Sequence, residues 1–142
     1  MKIVRATEAN AAQLVKLCKT LGYEVNEEEV RQRVKEISQR SDHSLWVAMD
    51  QENAVGYTHG YVRLIVEVPV AIEIAGMVVA EDYQGKGVGR LLVRAIEAWA
   101  REKKISRIVL SSNVVRQKAH GFYEHLGYKR GKQQYRFDKW LK

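Results

Sequence analysis

The stretch YQGKGVGR, Tyr83–Arg90, places glycines at 85, 87 and 89, directly after an apolar run and directly before a helical pattern. Upstream, AIEIAGMVVA (71–80) is apolar almost throughout, which predicts a central strand. Downstream of Val88, apolar side chains at Leu91, Leu92, Ala95, Ile96 and Trp99 recur at the spacing of an amphipathic helix. The loop therefore feeds a strand into the first turn of a helix. Such a turn carries N–H groups without intrahelical partners and a partial positive charge. Glycine removes the Cβ that would hold a bulky oxyanion off that backbone. Gly85, Gly87 and Gly89 suit a phosphate or pyrophosphate cradle, with Lys86 and Arg90 adding charge beside it. The plain alternative is a helix-capping turn that is merely glycine-rich. A Walker loop is excluded, because neither its glycine spacing nor its Gly-Lys-Ser/Thr ending is present. The dinucleotide fingerprint would need glycine at Arg90 or at Leu92, so it fails as well.

The rest of the chain reads around that loop. Its 142 residues predict one domain with a substantial core. Hydrophobic residues at 46% and charged residues at 29% fit a globular protein. A single cysteine, Cys18, rules out an internal disulfide and fits a reducing compartment. The opening MKIVRATEANAAQ lacks the apolar stretch of a signal peptide, and no run approaches membrane-spanning length. A cytoplasmic protein without membrane partners is expected. The net charge of +7 points to anionic partners, although much of the excess lies at the C-terminus and reads first as a solvated basic edge.

Ile3 to Arg5 begins like a strand. Thr7 is placed to cap a helix carrying Leu14, Val15, Leu17, Cys18 and Leu21, which Gly22 closes. Asn26, with Glu29 three residues on, starts a second helix through Val30, Val34 and Ile37. SLWVAM (44–49) and AVGYTHGYVRLIV (54–66) predict a hairpin across Asp50–Asn53. RIVLSS (107–112) predicts a strand, Lys118 to Leu126 a short helix stopped by Gly127, and KQQYRFDKW (132–140) an edge strand alternating Tyr135 and Phe137. The order is that of a mixed α/β sheet with helices on its faces, not a run of βαβ units.

Gln84-Gly85-Lys86-Gly87-Val88-Gly89 resembles, at every defined position, the Q/R-x-x-G-x-G/A pyrophosphate loop of the GNAT superfamily of acetyl-CoA-dependent N-acetyltransferases. SSNVVRQKAHGFYEHLGY is similar to the family's closing signature, with Asn113, Ala119, Phe122, Tyr123, Gly127 and Tyr128 at its defined positions. The resemblance covers essentially the whole chain. It implies a central, mostly antiparallel sheet of six to seven strands with about four helices. It also implies that the strand before the loop splays from its neighbour and offers the backbone of Met77, Val78 and Val79 to the pantetheine arm of acetyl-CoA. Residues Gln84, Gly85, Lys86, Gly87, Val88, Gly89 and Arg90 then take the pyrophosphate, and Asn113 contacts the pantetheine. A strand N–H at Met77 or Val78 would polarise the acetyl carbonyl.

Acetyl transfer needs a base for the amine and a proton donor for the leaving thiolate. Glu73 matches the family's strand glutamate, and a carboxylate between Ile72 and Ile74 is out of place on an apolar strand unless it has a task or a basic partner. Desolvation there would raise its pKa toward useful basicity. Glu67 is a weaker candidate. Tyr123 matches the tyrosine that protonates the CoA sulfur, against a plain packing role beside Phe122. Cys18 reads as a packed side chain, and His120 and His125 as too poorly spaced for a metal site. His59 on the hairpin reads first as a surface histidine, with a place facing the acceptor pocket as the alternative, and Trp46, Trp99 and Trp140 read first as packing.

These residues imply direct transfer of acetyl from acetyl-CoA to a primary amine, without metal and without a covalent enzyme intermediate. A small-molecule acceptor, aminoglycoside-like or another amine, comes first, and a protein N-terminus or lysine second. The acceptor pocket is expected around Leu21 to Glu29, where Glu24, Glu27, Glu28 and Glu29 could attract a cation, although helix capping explains them too. A non-catalytic acyl-CoA sensor is the rival from another class. Nucleic acid as a partner is disfavoured, because the basic C-terminus lacks interleaved aromatic and basic residues. Family members are often dimers, so a homodimer is an expectation.

Overall fold

The computed structural model describes residues 1–112 and 117–141, in two compact units divided between Leu110 and Ser111. The first unit carries five strands in the order β1-β2-β3-β4-β5. They are β1 (Lys2–Arg5), β2 (His43–Asp50), β3 (Asn53–Arg63), β4 (Ala71–Val79) and β5 (Ile108–Leu110). The first four are antiparallel, and β5 runs parallel to β4. Three α-helices, α1 (Ala11–Thr20), α2 (Glu27–Ser38) and α3 (Val88–Glu102), accompany the sheet.

The helices begin and end largely where the local signals place them. The Asn26 side chain accepts from the N–H groups of Glu28 and Glu29 at 2.9 and 3.2 Å, satisfying two of the orphan donors of α2. Thr7 caps a short 3-10 turn, Glu8–Asn10, and α1 proper starts after it. Gly22, at φ +102°, ends α1 with paired bonds from Gly22 N–H to Lys19 and Tyr23 N–H to Cys18.

Alternation along the strands sends apolar side chains to both faces of the sheet. On one face Leu45, Val47 and Val78 pack with Leu14 and Leu17 of α1 and Val30 and Val34 of α2. On the other, Ile72 and Ile74 meet Ile96, Trp99 and Ala100 of α3, and Ala48 and Val55 meet Val88 and Leu92. A Cβ at Gly60 would stand 2.8 Å from Ile96 Cδ1, so glycine there lets α3 lie close on β3. β3 ends at Arg63, short of the strand predicted to Val66, and Leu64 and Val66 are exposed.

The second unit holds α4 (Gln117–His125) among its described residues. Gly127, at φ +95°, ends that helix as expected, with Tyr128 N–H bonding back to Tyr123 at 3.0 Å. The predicted edge strand at 132–140 does not form: residues 128–141 carry no regular secondary structure. Tyr135, Phe137 and Trp140 are each at least 90% exposed, so Trp140 is not a packing residue. An alternating pattern becomes a strand only where a neighbouring backbone pairs with it. The sheet accordingly has five strands among the described residues, not six to seven, and the mixed α/β class with four helices stands.

Candidate active site

β4 is paired along its whole length on one side and along only part of the other. β3 runs beside it from Ala71 to Val79, whereas β5 pairs only with Ile72, Glu73 and Ile74. Beyond Ile74 no strand among the described residues continues on the β5 side. The register supplies a second feature. His59 lies opposite Gly76 and Gly60 opposite Ile74, so Ala75 is an extra residue, a bulge of the kind that re-aims side chains near functional sites. The bulge also resets which backbone groups face outward. The Ile72 N–H points away from β3, to Arg107 O at 2.9 Å, while the Ala80 N–H points toward β3, to Val55 O at 2.8 Å. Alternation back from Ala80 turns Val78 toward β3 and leaves Met77 and Val79 facing the open side.

That open edge leads into the glycine loop. The Gln84 side chain donates to Val79 O at 3.1 Å, fastening the turn to the strand end. Gly85 and Gly87 adopt φ of +77° and +86°, the left-handed region that only glycine enters freely. No side chain caps α3 at Gly87, and the exposed Lys86 and Arg90 flank its N-terminus. Val88 is buried against the sheet, holding the helix end in place, and Gly89 lies in the first turn. The arrangement is a solvent-open row of backbone donors beside two cations, which suits an extended diphosphate.

Glu73 is not alone on its apolar strand. Its carboxylate accepts from the Tyr61 hydroxyl at 2.9 Å and pairs with the Arg63 guanidinium at 3.3 Å. Its side chain and that of Arg63 are each about one-quarter exposed. Glu67, by contrast, sits in the exposed loop between β3 and β4. Tyr123 lies in α4, its ring edge-on to Phe122 and Tyr128 at 5.1 and 6.0 Å between centroids. Asn113 falls outside the described residues. The structure thus brings Glu73, Met77, Val78, Val79 and residues 84–90 onto one strand-loop-helix unit.

A row of polar side chains that the sequence did not disclose runs across the sheet beside Glu73. The rings of His43 and His59 meet Nδ1 to Nε2 at 2.9 Å, and His43 stacks on Tyr61 at 5.5 Å. His59 is half-buried rather than at the surface, because α1 and α2 cover its face of β3. The GYTHGY run held the only clue, since alternation puts Tyr57, His59 and Tyr61 on one face. Cys18 is half-buried, with Sγ 3.6 Å from the Tyr57 hydroxyl.

Burial, with His43 beside it, pushes His59 down from 6.5 to about 4. A histidine depressed in the folded state binds a proton more readily when unfolded. Its contribution is therefore intact above the unfolded value and falls away as the pH drops from about 6.5 toward 4. The cost between pH 7 and pH 5 is about 2 kcal/mol. Urea midpoints for the wild type should drop across that range, and His59→Phe should show a visibly flatter profile. Parallel profiles would remove His59 as the titrating group.

The chain belongs to the Acetyltransferase (GNAT) family, whose sequence profile matches residues 10–128. It is similar to human N-acetyltransferase 8B, 31% identical over an alignment of 101 residues that covers 68% of this chain and 43% of that protein. The chain therefore spans less than half the length of that relative. An aminoglycoside 6'-N-acetyltransferase from Acinetobacter haemolyticus superposes with a TM-score of 0.84 at 18% identity, over 100% of each chain. An aminoglycoside N-acetyltransferase solved in complex with CoA superposes with a TM-score of 0.87 at 17% identity, over 97% of this chain and 93% of that one. At such identities these structures share the fold.

Proposed function

We propose that this chain is an acetyl-CoA-dependent N-acetyltransferase that binds both substrates together and moves acetyl directly to the primary amine of a small molecule. The observation that carries the reading is the half-paired β4, which ends at Val79 and leads through the short turn and loop at residues 80–87 to the uncapped, glycine-lined end of α3. The open edge at Met77 and Val79 takes the pantetheine arm as an added strand would. Residues 84–90 and the first N–H groups of α3 take the diphosphate. The outward N–H of Met77 is the better placed donor to the acetyl oxygen, since alternation turns Val78 toward β3. Asn113 contributes a contact to the pantetheine, as the family resemblance implies.

In the reaction the amine nitrogen attacks the acetyl carbon as Glu73 takes the proton from nitrogen, directly or through water. The tetrahedral oxyanion is held at the strand N–H. Collapse breaks the carbon–sulfur bond, and Tyr123 returns a proton to the thiolate, giving the N-acetyl product and CoA. No group on the protein is acylated.

Isothermal titration with acetyl-CoA, followed by thiol release across a panel of amines, tests this. Saturable binding with turnover of at least one amine is expected. Binding without turnover of any small or peptide amine would make the chain an acyl-CoA sensor. Tyr123→Phe should lower kcat about 100-fold while changing acetyl-CoA affinity less than threefold, in the range of lost general acid catalysis. An unchanged kcat would remove Tyr123 as the acid.

A further inference from the structure

Between the helix pair α1 and α2 and the strands β2 and β3 lies an open groove of about 120 Å³. Its lining is aliphatic on the helix side, with Leu14, Val30 and Val34, and meets Leu45, Tyr57 and His59 on the sheet. Tyr57 and His59 lie opposite Val78 and Gly76 of β4, so the groove occupies the sheet face beside the open part of that strand. His59 is one side of the polar row that leads through His43 and Tyr61 to Glu73. An acceptor seated in this groove would direct its amine along that row toward the carboxylate.

The charges of the groove select among amines. Among the described residues its lining contains no carboxylate, and its one permanently charged group is a cation, Arg33. The acidic residues at the start of α2 are committed within the helix. Arg31 pairs with both Glu27 and Glu28 at 3.1 Å, and Arg33 pairs with Glu29 at 3.6 Å. The carboxylate beside the lining, Glu29, is already engaged by Arg33, so a ligand with several ammonium groups would lose water here and find no free anion in return. An apolar body would gain from the aliphatic walls. A cavity of about 150 Å³ admits benzene, so this smaller groove of about 120 Å³, open to solvent, takes a branched aliphatic chain, or a single ring that stays partly exposed at its mouth.

We infer that the acceptor is a monoamine with a compact apolar body bound between α1/α2 and β2/β3, and not a polycation. This rests on the acetyl-transfer reading for its catalytic consequence, but not for its binding site. Thiol release with 3-methylbutylamine, phenethylamine, spermidine and neamine should give kcat/KM at least tenfold higher for the two apolar monoamines. Equal or better use of spermidine or neamine overturns the inference. NMR of the histidine rings gives a readout independent of chemistry: 3-methylbutylamine should shift the His59 resonances saturably, and neamine should not. If no amine is acetylated yet His59 responds in this way, the groove stands and the enzyme reading falls. If 3-methylbutylamine leaves His59 unmoved, the groove assignment is wrong whatever turns over. Arg33→Glu, a change on the exposed side of α2, should raise the kcat/KM of cadaverine relative to 3-methylbutylamine three- to tenfold, and an unaltered ratio counts against charge selection by the groove.

Discussion

Glu73→Gln is expected to lower kcat with the favoured amine by 100- to 1,000-fold, the loss that follows when a positioned base is removed. The substitution keeps the size of the side chain and an oxygen that still accepts from the Tyr61 hydroxyl, which sits 2.9 Å from the carboxylate. It removes the charge that pairs with Arg63, so urea unfolding must accompany the kinetics to separate activity from stability. Two readouts identify the role. The loss should appear in kcat, with the KM of the amine changed less than threefold, as for a group that acts only in the chemical step. Acetyl-CoA affinity should stay within threefold of wild type. An undiminished kcat would assign the proton to water alone and leave Glu73 as the partner of Arg63.

Gly87→Val is expected to weaken acetyl-CoA binding 10- to 100-fold, the scale of one or two lost charge-assisted hydrogen bonds. Gly87 holds φ +86°, and a Cβ there would meet no protein atom within 4 Å. The folded protein therefore bears only backbone strain of about 1–2 kcal/mol. The Cβ would stand instead where a diphosphate approaches the α3 amides. Gly22 offers the matched control, with φ +102° and equally open surroundings at the far end of α1. Gly22→Val should cost similar stability and leave acetyl-CoA affinity unchanged. Equal affinity in both variants would reduce the glycine loop to a capping turn.

Elements with local causes are legible in the amino-acid order. The Asn26 cap, the Gly22 and Gly127 stops and the amphipathic period of α3 all stand where nearest neighbours dictate. The glycine loop is legible for the same reason, since a positive φ before an uncapped helix needs glycine and little else. Residues 64–66 read wrongly as strand because Leu64, Ile65 and Val66 extend the apolar pattern past Arg63, where pairing ends. Residues 132–140 depart further from their pattern, as alternation without a partner strand leaves Tyr135 and Phe137 in solvent.

What the amino-acid order determined by itself is the placement of α1, α2 and α3, the α/β class and the chemistry offered by residues 83–90, all of which depend on neighbours within about one helical turn. Tertiary structure alone decided that β5 pairs with β4 only as far as Ile74, that Ala75 bulges, and that His43, His59, Tyr61 and Arg63 gather beside Glu73. Those outcomes depend on register between strands distant in the chain. A shift of one residue there would turn every side chain to the opposite face, and no local pattern carries that information.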